Sequence, residues 1–327
     1  MDTVNRSPEP EPAPCTAALT TALRRFTPLR LWAAAGVGFL LLILVILALW
    51  LADGAWRLPA VSYQIPPVRK GIVWAAQVGM AAVLLGWALV LWRTCRRERQ
   101  VTLDAALLLG FFTCGWAMPL FGYHQVYWVQ NQYAVKAGTW GHYLPGWDGG
   151  PASLTHQSLI ALLMNPMMLI WVHCQRWTVR QITRRRPDWG TVRLLPFLLM
   201  SGVAASVAFE VPVILAGLYA YPSAPQGLSL FGGHWYQLSL LQVIATVVVV
   251  TPIVGMEHHA RRRGRPLHLF QNDVPIGART QGVLRLGAGI GLANSLILLF
   301  ALLTNLSMLL FGTSPPPADL PSYLWPR

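Results

Sequence analysis

Apolar residues along this chain gather into seven long runs separated by polar gaps. The runs cover approximately Leu31–Trp50, Gly71–Trp92, Ala105–Tyr123, Ser158–Val172, Leu194–Leu218, Leu238–Met256 and Leu286–Phe311. Crossing hydrocarbon as a helix takes about 20 predominantly apolar residues. All but the third and fourth runs reach that length easily. The fourth reaches it only by starting nearer Ser153, which puts His156 and Gln157 in its first helical turn. A soluble chain would have to bury every face of every such helix. The pattern therefore predicts an all-α fold, a polytopic helical bundle of about seven transmembrane helices in a lipid bilayer.

The gaps give the bundle a direction. The 25 basic residues are unevenly shared: 20 lie in the N-terminal tail and in the second, fourth and sixth gaps, among them Arg96–Arg99, Arg184–Arg186 and Arg261–Arg263. Lys and Arg are retained on the cytoplasmic side during insertion. The N-terminus is thus expected inside, the C-terminus outside, and the protein integral to a bacterial plasma membrane. The net charge of +13 is absorbed by this topology and by anionic headgroups, so no nucleic-acid partner is implied. Residues 1–30 are expected to form a disordered basic tail, 31–311 the seven-helix domain with aromatic outer loops at 124–152 and 219–237, and 312–327 a Pro-rich tail. Cys15, Cys95, Cys114 and Cys174 lack metal-type spacing, and His258 and His259 sit among arginines as solvated side chains. No metal site is expected.

Polar chemistry concentrates toward the outer half. The loop from His124 to Pro151 carries His124, Tyr127, Asn131, Trp140 and Trp147 almost without charge, and the loop from Tyr219 to Gln237 adds Tyr221, His234 and Tyr236. An interfacial belt of aromatics is one explanation; a folded cap dipping toward the bundle suits the density of groups better. Within the spans Glu210 stands out, near the middle of the fifth run and two residues before Pro212. A charge there is costly, so such a residue faces the bundle interior and finds partners or takes up a proton. Ser206 and Glu210 share a helical face, as do Ser239, Gln242 and Thr246 in the sixth span. Tyr123, His124, His156 and Gln157 lie at the outer ends of spans three and four. Together these residues predict a polar pocket in the outer half, roofed by the aromatic loops. Gly287 and Gly291 form a GxxxG pair, a helix-packing signal.

An ordered set of short motifs resembles the AveC-type spirocyclases, membrane proteins of avermectin-like polyketide pathways. It begins at Arg96-Arg-Glu-Arg-Gln-Val-Thr-Leu-Asp104. It continues through Pro119 to Tyr123, Asn131, Gly138-Thr-Trp140 and Pro145-Gly-Trp147. It ends with Arg184–Pro187 and Trp189-Gly190, then Glu210, Gly217-Leu-Tyr-Ala-Tyr-Pro222 and Gly233 through Gln237, covering roughly residues 70–270. The resemblance implies closure of a polyketide-type dihydroxy-ketone into a spiroketal, with no cofactor and a hydrophobic small molecule as partner. It implies Glu210, with His156 and His234, as catalytic residues. Tyr123, His124, Tyr127, Asn131, Trp140, Trp147, Gln157, Ser206, Tyr219, Tyr221, Tyr236 and Gln242 would bind substrate. Where the family carries carboxylates this chain has Met118, Gln157, Ser206 and Gln242, leaving Glu210 as the intramembrane acid. The competing expectation is a non-catalytic protein that binds or transports an amphipathic metabolite, motivated by those losses and by Pro119, Pro166, Pro212 and Pro252 in spans three to six. A scaffold for cytoplasmic enzymes ranks third, because the arginine loops are already explained by insertion.

Overall fold

The computed structural model describes residues 27–57, 64–123, 125–144, 156–272 and 276–325. Helix α1 (Pro28–Ala52) is capped by Thr27, whose Oγ1 accepts from the backbone N–H of Arg30 at 3.4 Å, with Pro28 at its first position. Helix α2 (Pro67–Glu98) follows, then α3 (Leu103–Phe112), which runs straight into a 3₁₀ segment, Thr113–Gly122. The fourth crossing is interrupted: α4 (Ile160–Met164), a 3₁₀ turn at Asn165–Met167, and α5 (Met168–Arg185). Helices α6 (Thr191–Leu215), α7 (Leu240–Arg262) and α8 (Ala278–Phe311) complete the bundle.

Six of these stretches are long and apolar enough to cross a membrane. The interrupted run 160–185 is not among them. Pro166 removes a backbone donor, which breaks its helix, and its second half carries Arg176, Arg180, Arg184 and Arg185. The bundle is all-α and polytopic, as its hydrophobic pattern requires.

The central element is α8, packed on α1, α3 and α7. The GxxxG pair explains the close approach of α1: a Cβ on Gly36 would collide with the carbonyl of Gly287, and one on Gly291 with the carbonyl of Trp32. At one end the arginine-rich segments are tied together. Arg285 donates to the Gln100 side chain at 2.8 Å, and Arg176 makes ion pairs of 2.6 Å with both Asp104 and Glu257. His258, expected in solvent, is buried there, with Nε2 lying 3.1 Å from the Trp189 carbonyl; the overhanging 186–190 turn covers it.

At the other end the two aromatic loops form a folded cap. Strand β1 (Val129–Gln130) pairs with β4 (Tyr219–Ala220), joining loop to loop. Strand β2 (Lys136–Gly138) pairs with β3 (His156–Ser158), and β5 (Ser229–Leu230) with β6 (Leu238–Ser239). His156 and Gln157 therefore lie in a strand and not in the first turn of span four. The backbone of 136–138 satisfies them, and the helix begins only after Ser158, whose Oγ accepts from the Ile160 N–H at 3.3 Å. Helix α6 likewise stops at Leu215, short of the expected Leu218, because Gly217 turns into the left-handed region at φ 76°. Segment 313–325 folds back onto the cap, burying Tyr323 and Leu324 and accepting the Gln132 N–H on the Tyr323 carbonyl at 2.9 Å.

Candidate functional site

Below the cap, spans three to seven and both loops enclose a cavity. Its walls are Met118 and Phe121 from the 3₁₀ end of span three; Met164, Asn165, Met168 and Trp171 from span four; and Phe209 and Glu210 from α6. Gln242 and Thr246 of α7 and Ile297 and Phe300 of α8 complete the walls, and Tyr127, Trp128, Tyr219 and Tyr221 form the roof. Two walls are irregular for the same reason. Pro119 and Pro166 cannot donate to a helical ladder, and the 3₁₀ segments that contain them hold Met118 and Asn165 at the cavity. Water-sized spheres have about 80 Å³ open to their centres, room for a handful of waters at about 10–15 Å³ each.

Glu210 is the acid of this cavity, with 5% of its surface exposed. The phenol of Tyr221 donates to its Oε2 at 2.8 Å and that of Tyr219 to the same oxygen at 3.2 Å. Among the described residues no basic side chain lines the cavity. The carboxyl is thus held by neutral donors on one oxygen, while Oε1 has no hydrogen bond to any described residue. Burial and the nearby Glu210 carboxyl push both phenols well above their ordinary range, so they stay protonated and remain donors. Tyr127 completes the aromatic wall. Its ring meets Tyr221 edge-on at 5.8 Å, its hydroxyl lies 2.5 Å from Ser239 Oγ, and burial pushes it up to about 12.

The structure brings Glu210, Tyr127, Tyr219, Tyr221 and Gln242 together around one space. It holds other expected site residues apart. His234 is a surface residue, with its side chain 56% exposed, stacked on Tyr236 and 3.3 Å from Asp319. Neither His234, expected as a catalytic residue, nor Tyr236, expected to bind substrate, lines the cavity. Asn131 clamps the end of α6, donating to the Gly217 carbonyl at 2.6 Å. Trp140 is a packing residue whose indole donates to the Trp116 carbonyl at 2.9 Å. Ser206 is fully buried behind the wall and accepts from Trp171 Nε1 at 2.7 Å. Gln157 pairs with Ala137 through its backbone, and the backbone of His156 with that of Gly138. Tyr123 ends span three without lining the cavity. His124 and Trp147 lie outside the described residues.

The missed residues are Asn165 and Trp128. An amide followed by proline inside an otherwise apolar span was a readable signal for the first. Trp128 was hidden among the many aromatics of its loop. On the outward side of the same break, Leu163 and Pro166 line an apolar groove between α2 and α3. The next residues along the same break, Met164 and Asn165, line the cavity.

The sequence profile of the spirocyclase AveC-like proteins matches residues 98–319. The chain belongs to the AveC-like spirocyclase family. The matched segment contains every wall of the cavity. No curated protein and no solved structure matches the chain.

Proposed function

We propose that this AveC-like protein closes a polyketide-type dihydroxy-ketone into a spiroketal inside the membrane, with Glu210 carrying the proton. The observation that supports this most directly is a buried carboxyl, free of any cation, held by two phenols at the edge of an apolar cavity. The reaction balances without oxidant, reductant or cofactor. One substrate hydroxyl adds to the ketone to give a hemiketal. The hemiketal hydroxyl then takes the Glu210 proton and leaves as water. The second hydroxyl adds to the resulting oxocarbenium carbon, and its proton returns to the carboxylate. The net change is the loss of one water.

Each part of the cavity has a task in that sequence. A carboxyl that alternates between acid and base contributes roughly 10²–10⁴-fold in rate. Tyr219 and Tyr221 hold it in one rotamer and stabilise the carboxylate formed when water departs, since hydrogen bonds to a charged acceptor are the strong ones. The apolar walls fold the flexible chain so that the second hydroxyl meets the cation from one face, which supplies proximity and stereochemical choice. Ligand pockets commonly span about 300–1,000 Å³. The present space is smaller, so substrate must part the walls, and the broken helix at Asn165–Met167 is the least regular of them.

The test is reconstitution of the purified protein with a dihydroxy-ketone probe and chiral chromatography of the product. Faster closure and one spiro configuration, with both lost in Glu210→Gln, are the expected result. A product ratio and rate equal to those of empty vesicles would end the catalytic reading and leave the binding-protein alternative.

A further inference from the structure

Two hydrogen-bond donors in the cavity have no partner among the described residues. Asn165 retains 8% exposure and its Nδ2 is buried without a hydrogen bond. Trp128 Nε1 is in the same state, and both side chains line the space beside Glu210. Three other buried indoles and one other buried amide of the bundle are satisfied. The indoles of Trp116, Trp140 and Trp171 donate to Asn294 Oδ1, the Trp116 carbonyl and Ser206 Oγ at 2.7, 2.9 and 2.7 Å. The Asn294 amide donates to Thr113 Oγ1 at 2.8 Å and to the Ile290 carbonyl at 2.9 Å. Buried donors are paired as a rule, and an exception calls for a reason. Other such atoms are scattered, among them Arg285 Nε and Ser223 Oγ, but these two lie together at the one cavity where a ligand is expected.

We propose that Asn165 and Trp128 form an oxygen-recognition subsite, donating hydrogen bonds to ether, ketone or hydroxyl oxygens of a neutral, largely hydrocarbon ligand. The proposal rests on the spirocyclase reading and adds to it the groups that orient substrate against Glu210. Location supports the assignment. Asn165 opens the 3₁₀ turn whose next residue is Pro166, so its backbone is fixed by a ring that cannot rejoin a helical ladder. Trp128 is held edge-on to Tyr219 at 5.7 Å, beside the phenol that donates to Glu210. The lining also selects by charge. A carboxylate or phosphate ligand would meet Glu210 and no cation. An ammonium ion would suit Glu210 and the rings but leave both donors unpaired. A ring oxygen flanked by hydrocarbon satisfies the donors and the apolar walls together.

The test uses the full chain in nanodiscs with three probes: a simple spiroketal of two six-membered rings, its open dihydroxy-ketone, and tetraethylammonium. Binding is read by ligand-detected NMR and calorimetry, and folding by thermal unfolding. Asn165→Leu, Asn165→Ala and Trp128→Phe should each weaken spiroketal binding about 3–10-fold, the value of one neutral hydrogen bond. In the ligand-free protein Asn165→Leu should melt at the same or a higher temperature, because it removes an unpaired buried donor; a structural asparagine would do the opposite. Unchanged affinity in all three variants overturns the subsite, as does preference of the wild type for tetraethylammonium, or binding of none of the probes. If wild-type turnover persists while the variants bind normally, the subsite fails and the spirocyclase reading stands. If binding weakens as expected but the wild type turns nothing over, the subsite stands and catalysis does not.

Discussion

Glu257 and Glu210 both sit in long apolar helices, and their surroundings could hardly differ more. At the arginine-rich end, Arg176 grips Glu257 through two contacts, Nε to Oε2 at 2.6 Å and a second guanidinium nitrogen to Oε1 at 3.0 Å, while also meeting Asp104 at 2.6 Å. Those three side chains join α3, α5 and α7. Glu210 meets no cation among the described residues, only two phenols on one oxygen and open space beside the other. A carboxylate locked by a bidentate guanidinium gains geometry and gives up its proton chemistry. One held by neutral donors can take a proton and return it. The first acid is a clamp and the second, on the spirocyclase proposal, a reagent, although both stand on helices long and apolar enough to cross a membrane.

The largest effect should follow from removing the reagent. Glu210→Gln keeps the size of the side chain and an oxygen to accept from Tyr221, but it cannot shuttle a proton. Activity should fall by roughly 10²–10⁴-fold, with the melting temperature nearly unchanged. Product formation measured by mass spectrometry against thermal unfolding in the same detergent separates the two. Activity within a factor of two of wild type would make Glu210 a structural residue like Glu257.

Removing the clamp should do the reverse. Arg176→Leu leaves Asp104 and Glu257 facing one another with 24% and 14% side-chain exposure. Stranding partly buried charges in this way costs about 3 kcal/mol. Yield and melting temperature should drop, while the folded fraction keeps its turnover per molecule. Adding Glu257→Gln to Arg176→Leu should recover part of the loss. A stable Arg176→Leu protein would mean that the network contributes little beyond orientation.

The phenols give a graded intermediate case. Tyr221→Phe deletes the 2.8 Å donor and Tyr219→Phe the 3.2 Å donor, and a hydrogen bond to a charged acceptor is worth about 1.5–3 kcal/mol. Turnover should fall by about tenfold or more for Tyr221→Phe and by less for Tyr219→Phe. Because burial and the Glu210 carboxyl raise both phenols, the neutral donors persist as pH rises. Their ionisation should therefore cause no loss of activity up to the ordinary phenol value of about 10. An alkaline loss that disappears in Tyr221→Phe would contradict the arrangement.

The contrast between the two acids was only half legible in the chain. Glu210 announced itself by isolation in an apolar run, and the arginine periodicity marked the segments that gather at one end of the bundle. The GxxxG pair at Gly287 and Gly291 correctly marked a helix contact. Other features needed coordinates. Arg176 was counted as one more topological charge, because nothing in one dimension says that α3, α5 and α7 bring Asp104 and Glu257 to it. His234 had the right chemistry and the right loop, yet the φ 57° turn at Phe231 and the hairpin pairing Ser229 with Ser239 leave it at the surface beside Asp319. His156 and Gln157 were assigned to a helix because apolar periodicity cannot see a backbone partner more than a dozen residues away. Polar side chains recruited as structural clamps, such as Asn131 on Gly217, carry the same sequence signal as side chains recruited for ligands.

Ser206 offers the finest test of where the reagent ends and the wall begins. It lies one turn before Glu210 on the same buried face, and on sequence alone both belong to one polar stripe. Its hydroxyl is fully buried and committed to Trp171 Nε1 at 2.7 Å, whereas Glu210 borders open space. Ser206→Ala should leave that indole donor unpaired at a cost of about 1 kcal/mol, lowering the melting temperature by a few degrees without changing the product ratio or the rate per folded molecule. Trp171 also lines the cavity, so a freed indole that swung inward would alter the stereochemistry of the product. A changed product ratio in Ser206→Ala would extend the reactive site by one helical turn and make the wall part of the chemistry.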